Sequence, residues 1–185
     1  DFTIESADWN HAEDIAPQWP FVDDFELYAN GTAITALDFR GWGGSAGVAV
    51  TDADASSGSQ SVILPTGSVV SNRVDGSDRE VVWTDYYLRP RAGDKPSTSD
   101  TSDRSFMSYV NTNKFLVVYD PGVDDWVECS TNVKSGVAAA EFDTNDWTRV
   151  TIYQNFTDHT YSVFTHGTNL VRVGTTFPDV AIAEY

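Results

Sequence analysis

The chain has almost no cysteine, few basic residues and no long apolar segment. Cys129 is the only cysteine among 185 residues, so no disulfide can form within the chain. A catalytic thiol would need a histidine partner, and no histidine spacing provides one, so we expect Cys129 to be a small buried side chain. No hydrophobic run approaches the length of a membrane span.

Basic residues are outnumbered, because 11 Lys and Arg stand against 28 Asp and Glu, for a formal net charge of −17. A surface of this charge repels the phosphates of nucleic acids and anionic membranes, which argues against both as partners. Three explanations of the acidity stay open. It could be a solubility surface suited to a salty exterior, calcium binding at acidic loops, or attraction of a cationic partner.

Aromatic residues are plentiful, at 13% with six Trp, which indicates a packed β core, exposed stacking platforms, or both. Residues 147–173 contain three stretches of β-branched and aromatic residues separated by turn residues, the pattern of an antiparallel meander. Further strands are predicted at 21–28, 48–51, 60–64, 79–88, 105–110, 114–119 and from 126 onward. About ten short strands without a convincing helix predict an all-β fold, a two-sheet antiparallel jelly-roll sandwich.

The chain is predicted to hold one folded unit. Residues 1–19 lack periodicity and are predicted to be an N-terminal lead-in or linker, and residues 20–185 a single β-sandwich domain. The chain begins at Asp1 rather than Met and ends in a strand-like segment. We therefore expect it to be part of a longer product that is extracellular or at the cell surface.

Five segments follow one another in an order that is informative about the fold. They are Gly-Trp-Gly-Gly at 41–44, Ser-Ser-Gly-Ser-Gln-Ser-Val at 56–62, Val-Val-Trp-Thr-Asp-Tyr-Tyr-Leu-Arg-Pro at 81–90, Tyr-Val-Asn-Thr-Asn-Lys-Phe-Leu-Val-Val-Tyr-Asp at 109–120, and Asp-Trp-Thr-Arg-Val-Thr-Ile at 146–152. Over residues 20–175 this order resembles the concanavalin A-like lectin/glucanase (LamG-like) jelly-roll modules of bacterial extracellular proteins. The resemblance implies a concave face that often binds polysaccharide, sometimes with a structural calcium ion.

Aromatic rings can cover the C–H face of a sugar while polar neighbours bond its hydroxyls. Alternation along a strand places Trp83 on the same face as Asp85 and Arg89. Because those charged residues are hard to bury unpaired, Tyr86 and Leu88 are predicted to face the core and Trp83 to face outward. The residues predicted to contact carbohydrate are Trp83, Asp85, Tyr87, Arg89, Tyr109, Asn111 and Trp126.

The turn from Asp52 spaces oxygen ligands two residues apart, as calcium loops do. It is not an EF-hand, because its glycine comes one place late and Ile63 stands at the twelfth position. The resemblance implies that calcium could bridge this turn and the first strand. The implied metal ligands are Asp24, Glu26, Asp52 and Asp54. A plain hydrated turn is the alternative, and no organic cofactor is expected.

Catalysis has weaker support. Glycanases of the resembled family use Glu-x-Asp-x-x-Glu, and the nearest match, at 141–146, ends in Asp146 and lies where a turn is expected. Tyr87, Arg89, Tyr109 and Asn111 are residue types that a lyase would use. The sequence leans against an enzyme.

The preferred function is non-catalytic binding of a polysaccharide by a module of a larger extracellular protein. Neighbouring domains, or copies of the same chain, are further candidate partners. Two alternatives stay open: a structural or assembly module of a cell-surface or fibrous protein, and a polysaccharide lyase or glycoside hydrolase.

Overall fold

The computed structural model describes residues 21–72, 80–91, 93, 95 and 106–175. The strands are β1 (Trp42–Gly44), β2 (Ala49–Thr51), β3 (Ser61–Ile63), β4 (Val70–Asn72), β5 (Val81–Leu88), β6 (Ser108–Val110), β7 (Leu116–Asp120), β8 (Asp125–Glu128), β9 (Thr148–Asn155), β10 (Thr160–Thr165) and β11 (Asn169–Thr175). A 3₁₀-helix spans Ile34–Arg40. The all-β class is confirmed. Within these ranges, no helix is long and apolar enough to cross a membrane.

The largest sheet has four antiparallel strands in the order β11-β10-β9-β5. Its last three strands in sequence form the predicted meander. Strand β5 pairs with β9 along its whole length, from Val81 opposite Asn155 to Leu88 opposite Thr148. This long pairing joins two segments that are far apart in sequence and places β5 at the edge of the sheet.

A three-stranded antiparallel sheet, β6-β7-β8, packs against the inner side of the four-stranded sheet. The buried side chains between the two sheets include Val110, Leu116, Val118, Val150, Ile152, Tyr161, Val163 and Val171. Burying a Val or Ile side chain contributes about 1.5–3 kcal/mol, so this shared core holds the sheets together. Tyr86 and Leu88 pack against it, which confirms that Trp83 faces outward.

A second core cluster lies in the N-terminal part of the chain. Ile34 and Leu37 of the 3₁₀-helix are buried with Val48 and Val50. Two-stranded sheets, β1-β4 and β2-β3, surround this cluster. Trp42, which is flanked by two glycines, packs against the cluster.

One local prediction is wrong, and one local element was not predicted. Residues 21–28 form turns instead of a strand, because Asp23 and Asp24 each accept a hydrogen bond from the backbone N–H two residues later and Phe25 has φ 63°. The sequence also gave no sign of the 3₁₀-helix. The helix ends at Arg40 and is followed by Gly41, whose φ of 77° suits a residue without a side chain.

The predicted lead-in at 1–19 lies outside the described residues. A single domain over 20–185 stays a prediction.

Candidate functional site

The outer side of the four-stranded sheet carries a row of aromatic residues around an ion pair, and we call it the aromatic face. Register fixes its layout, because Trp83 lies opposite Tyr153, Asp85 opposite Thr151 and Tyr87 opposite Arg149. Strand β10 adds Phe164, also opposite Thr151. The face is therefore built from Trp83, Asp85, Tyr87, Arg149, Thr151, Tyr153 and Phe164.

Trp83 is held in place but remains open to solvent. Its ring centroid lies 4.7 Å from that of Tyr153 and 6.4 Å from that of Phe164, which it stacks against at 25°. Even so, 56% of Trp83 is exposed, and Tyr87 is 53% exposed. A tryptophan supported by two rings yet accessible is oriented in advance for a flat ligand, so little ordering is needed on binding.

Between the two exposed rings lies a closed polar pair. Arg149 donates from Nε to Asp85 Oδ1 at 2.9 Å and from Nη2 to Oδ2 at 2.8 Å, and the Thr151 hydroxyl also donates to Asp85. The hydrogen bonds from Arg149 are the main cause that lowers the pKa of Asp85. Asp85 is therefore ionised at neutral pH and its charge is balanced locally, which leaves oriented polar atoms without a net charge.

The structure brings together only part of the predicted carbohydrate site. Trp83, Asp85 and Tyr87 lie on the aromatic face. Arg89 lies just beyond β5 and forms an ion pair with Asp54.

The other three predicted residues belong to the three-stranded sheet and its hairpin turn. Asn111 donates to Glu128 and accepts from the N–H of Phe115. Trp126 is half-buried, with its ring 5.2 Å from Tyr109 and 5.6 Å from Tyr119 in edge-on contacts. These residues lie on the far side of the shared core, so they cannot touch a ligand on the aromatic face.

The four predicted metal ligands are each engaged by a protein group. Asp24 accepts from the N–H of Glu26, and Asp52 accepts from the Asn30 side chain. Asp54 accepts from the Trp147 indole at 3.3 Å and pairs with Arg89. In the described part of the chain, no three His, Cys, Asp or Glu side chains cluster as metal ligands. Calcium at these carboxylates stays a prediction.

The resemblance implied that calcium could join Glu26 to the turn from Asp52. Glu26 contacts the end of this turn by direct hydrogen bonds. Its carboxylate accepts from the Ser59 hydroxyl at 2.7 Å, from the Ser59 N–H at 2.8 Å and from the Gln60 N–H at 2.7 Å. The bond from the Ser59 side chain is the largest cause that lowers the pKa of Glu26 below its ordinary 4.5. Its stabilising contribution is therefore present above about pH 4.5 and is lost as pH falls through the lower folded-state value.

We expect Glu26→Gln to lower the urea midpoint of unfolding at pH 7, because the uncharged amide accepts these bonds more weakly. The difference between the two midpoints should shrink as pH falls below 4.5 and through the lowered folded-state pKa of Glu26, since the wild-type carboxyl then becomes protonated. Glu141→Gln is the matched control, because Glu141 is exposed and lies 3.9 Å from Lys114. A Glu26→Gln deficit that does not shrink on acidification would contradict this role.

The residues considered for catalysis do not meet in one place. Asp143 accepts from the N–H of Asn145 within the predicted turn, away from any strand. Tyr87 lies in β5 and Arg89 just after it, whereas Tyr109 lies in β6 and Asn111 just after it, on the other sheet. Burial raises the pKa of the Cys129 thiol to about 12, so it is a poor nucleophile.

Sequence reasoning missed Arg149, Thr151, Tyr153 and Phe164. The alternation of β9 did place three of them on one face of that strand, which was a usable signal. Their meeting with Trp83 and Asp85 depends on the β5–β9 pairing, which the sequence did not reveal. No protein-family model, curated protein or solved structure matches the chain.

Proposed function

We propose that this chain is a non-catalytic polysaccharide-binding module of an extracellular protein, with the aromatic face as its sugar-contact surface. We further propose that its packed sheets belong to a jelly roll of the concanavalin A-like kind. Two sheets sharing one core, with an open outer face on one of them, support the fold proposal.

The observation that carries the functional proposal is the exposed, supported ring of Trp83. A soluble protein rarely leaves clustered aromatic side chains open to water unless they bind something. A pyranose has an apolar C–H face, which can stack on the ring of Trp83. Its equatorial hydroxyls can form hydrogen bonds with Asp85, Arg149 and Thr151 beside that ring.

The spacing of the rings favours a polymer over a single sugar. Trp83 and Tyr87 are four residues apart on one extended strand, a separation of about 13 Å. One monosaccharide cannot contact both rings at that distance, whereas a chain lying along β5 can.

The charges favour a neutral polysaccharide. The guanidinium of Arg149 is already occupied by Asp85 in a two-pronged ion pair. The net charge of −17 would also repel a chain of uronic acids. The polar atoms beside Trp83 are thus better suited to hydroxyl groups than to carboxylates.

The proposal is tested by affinity gel electrophoresis at pH 7 with a soluble β-glucan, a xylan, a galactomannan and polygalacturonate. We expect retardation by at least one neutral polysaccharide and none by polygalacturonate. Trp83→Ala should weaken that binding at least about fivefold, since truncating a central aromatic anchor costs more than about 1 kcal/mol. Phe39→Ala is the matched control, because Phe39 is exposed but lies on the 3₁₀-helix.

Binding to no member of the panel would contradict the proposal, as would equal binding by wild type and Trp83→Ala. Each gel is repeated with EDTA, and unchanged binding would show that the aromatic face binds without a metal ion. A loss of binding on chelation would instead support calcium at the predicted carboxylates. Release of reducing sugar from any polysaccharide would favour the enzyme alternative.

A further inference from the structure

The aromatic face ends against the turn that joins β2 to β3. Continued by one outward row beyond Tyr87, the β5–β9 register places Arg89 opposite Trp147. Both side chains reach one carboxylate of the turn, because Trp147 Nε1 donates to Asp54 Oδ1 at 3.3 Å and Arg89 pairs with Asp54 Oδ2. The turn therefore meets β5 and β9 side by side where the row of rings stops. We call Asp54, Arg89 and Trp147 the closed end.

The turn is also held from its other side, by the N-terminal part of the chain. Glu26 accepts hydrogen bonds from the N–H and the hydroxyl of Ser59 at 2.8 and 2.7 Å. Within the turn, the Ser61 hydroxyl donates to the backbone carbonyl of Asp54 at 2.6 Å. A turn that is anchored on both sides needs little further ordering when a ligand rests against it.

The opposite end of the aromatic face is open. Val81 is the next outward residue beyond Trp83, and it is 40% exposed. From Trp83 to Arg89 the extended chain covers six residues, a length of about 20 Å. A polysaccharide that lies along β5 can therefore continue past Val81, but in the other direction it meets the turn just beyond Tyr87.

We propose that the aromatic face recognises the end of the main chain of a neutral polysaccharide, with the terminal sugar against the closed end. The sugars that follow then lie over Tyr87 and Trp83. The interior of a chain would have to pass through the turn, which its bonds to both strands prevent. This inference rests on the proposed function, because it assigns one end of the same surface to one end of the ligand.

The closed end provides polar atoms for the additional hydroxyl of a terminal sugar. The side chain of Arg89 is 41% exposed, and it has N–H groups beyond the one that pairs with Asp54. The carboxylate of Asp54 likewise has spare lone pairs. Because the two charges balance, these atoms suit an uncharged hydroxyl. Both ends of a polysaccharide carry such a group, the reducing end at its anomeric carbon and the other end at the position that is not linked.

Isothermal titration calorimetry with linear fragments of graded length tests the proposal. The fragments come from the β-glucan, the xylan and the mannan backbone of the galactomannan, and each is titrated by its molar concentration of chains. We expect one protein per chain at every length for the polysaccharide that binds. A number of proteins that grows with chain length, or binding to the parent polymer alone, would overturn chain-end recognition and leave the proposed function standing. Binding to no fragment and no parent polymer would overturn both.

Borohydride reduction of the fragments then identifies the end that binds, because it opens the sugar ring at the reducing end only. With one protein per chain, loss of binding on reduction assigns the reducing end. Unchanged binding assigns the non-reducing end.

Asp54→Ala removes the acceptor that both strands share at the closed end. We expect it to weaken binding of the shortest bound fragment at least about fivefold. Ser57→Ala, at an exposed position of the same turn, is the matched control and should bind like wild type. A variant of Asp54 that is folded in urea titrations and binds like wild type would overturn the contact with the closed end. If that variant does not fold, the number of wild-type proteins per chain still decides the proposal.

Discussion

Asp120→Ala is expected to lower the free energy of unfolding by about 3–5 kcal/mol, because it leaves a buried charge without its partner. The Asp120 side chain is 3% exposed and forms an ion pair with Arg172, which is itself mostly buried. Asp120 also accepts the N–H of Gly122 at 2.9 Å. Since Asp120 ends β7 and Arg172 lies in β11, the pair connects the two packed sheets.

Urea unfolding at pH 7 measures this loss, and Asp125→Ala is the control. Asp125 pairs with Lys95 at 3.0 Å, but both side chains are more than half exposed, so its removal should cost far less than the removal of Asp120. Asp120→Ala/Arg172→Met should be less destabilised than the sum of its single variants, since it removes both charges. A cost for Asp120→Ala as small as that of the control would refute the role of this pair.

Gly174→Ala is expected to destabilise the protein by about 1–3 kcal/mol through overpacking. A Cβ at this position would lie 2.6 Å from Asp120 Oδ2 and in closer conflict with the ring end of Tyr161. Tyr161 lies opposite Gly174 in the β10–β11 pair and is 1% exposed, so the ring has no free space to move into.

Gly93→Ala provides the comparison for Gly174→Ala. The nearest atom to a Cβ at Gly93 is the Val110 carbonyl oxygen at 3.9 Å, an ordinary contact. The Gly93 N–H bond to that oxygen would remain. We expect its urea midpoint to stay near wild type, and Gly174→Ala behaving the same way would show that Tyr161 does not pack as described.

The sequence predicted those parts of the fold that local patterns control. The meander of β9, β10 and β11 and the hairpin of β6 and β7 both follow from alternating apolar residues between turn residues. The prediction failed at 21–28, where the apolar alternation of a strand competes with Asp23 and Asp24. Their side chains bond the backbone two residues on and turn the chain.

The candidate site was less predictable, because it depends on pairing between distant strands. The facing of Trp83 followed from the difficulty of burying Asp85 and Arg89. The ion pair between Asp85 and Arg149 could not be predicted in this way, since Arg149 is 64 residues away and is brought to Asp85 only by the β5–β9 register. Tyr109 and Trp126 suit sugar contact chemically, but they lie in the other sheet, and composition cannot assign a strand to a sheet.

The most direct test of the central claim is an NMR titration that follows the six tryptophan indole N–H signals as a neutral polysaccharide is added. The Trp83 signal, assigned with Trp83→Phe, should shift in a saturable way with the polysaccharide that retards the protein in gels. The Trp126 signal, on the opposite side of the core, should stay unchanged. A shift at Trp126 with none at Trp83, or no shift at either, would contradict the account.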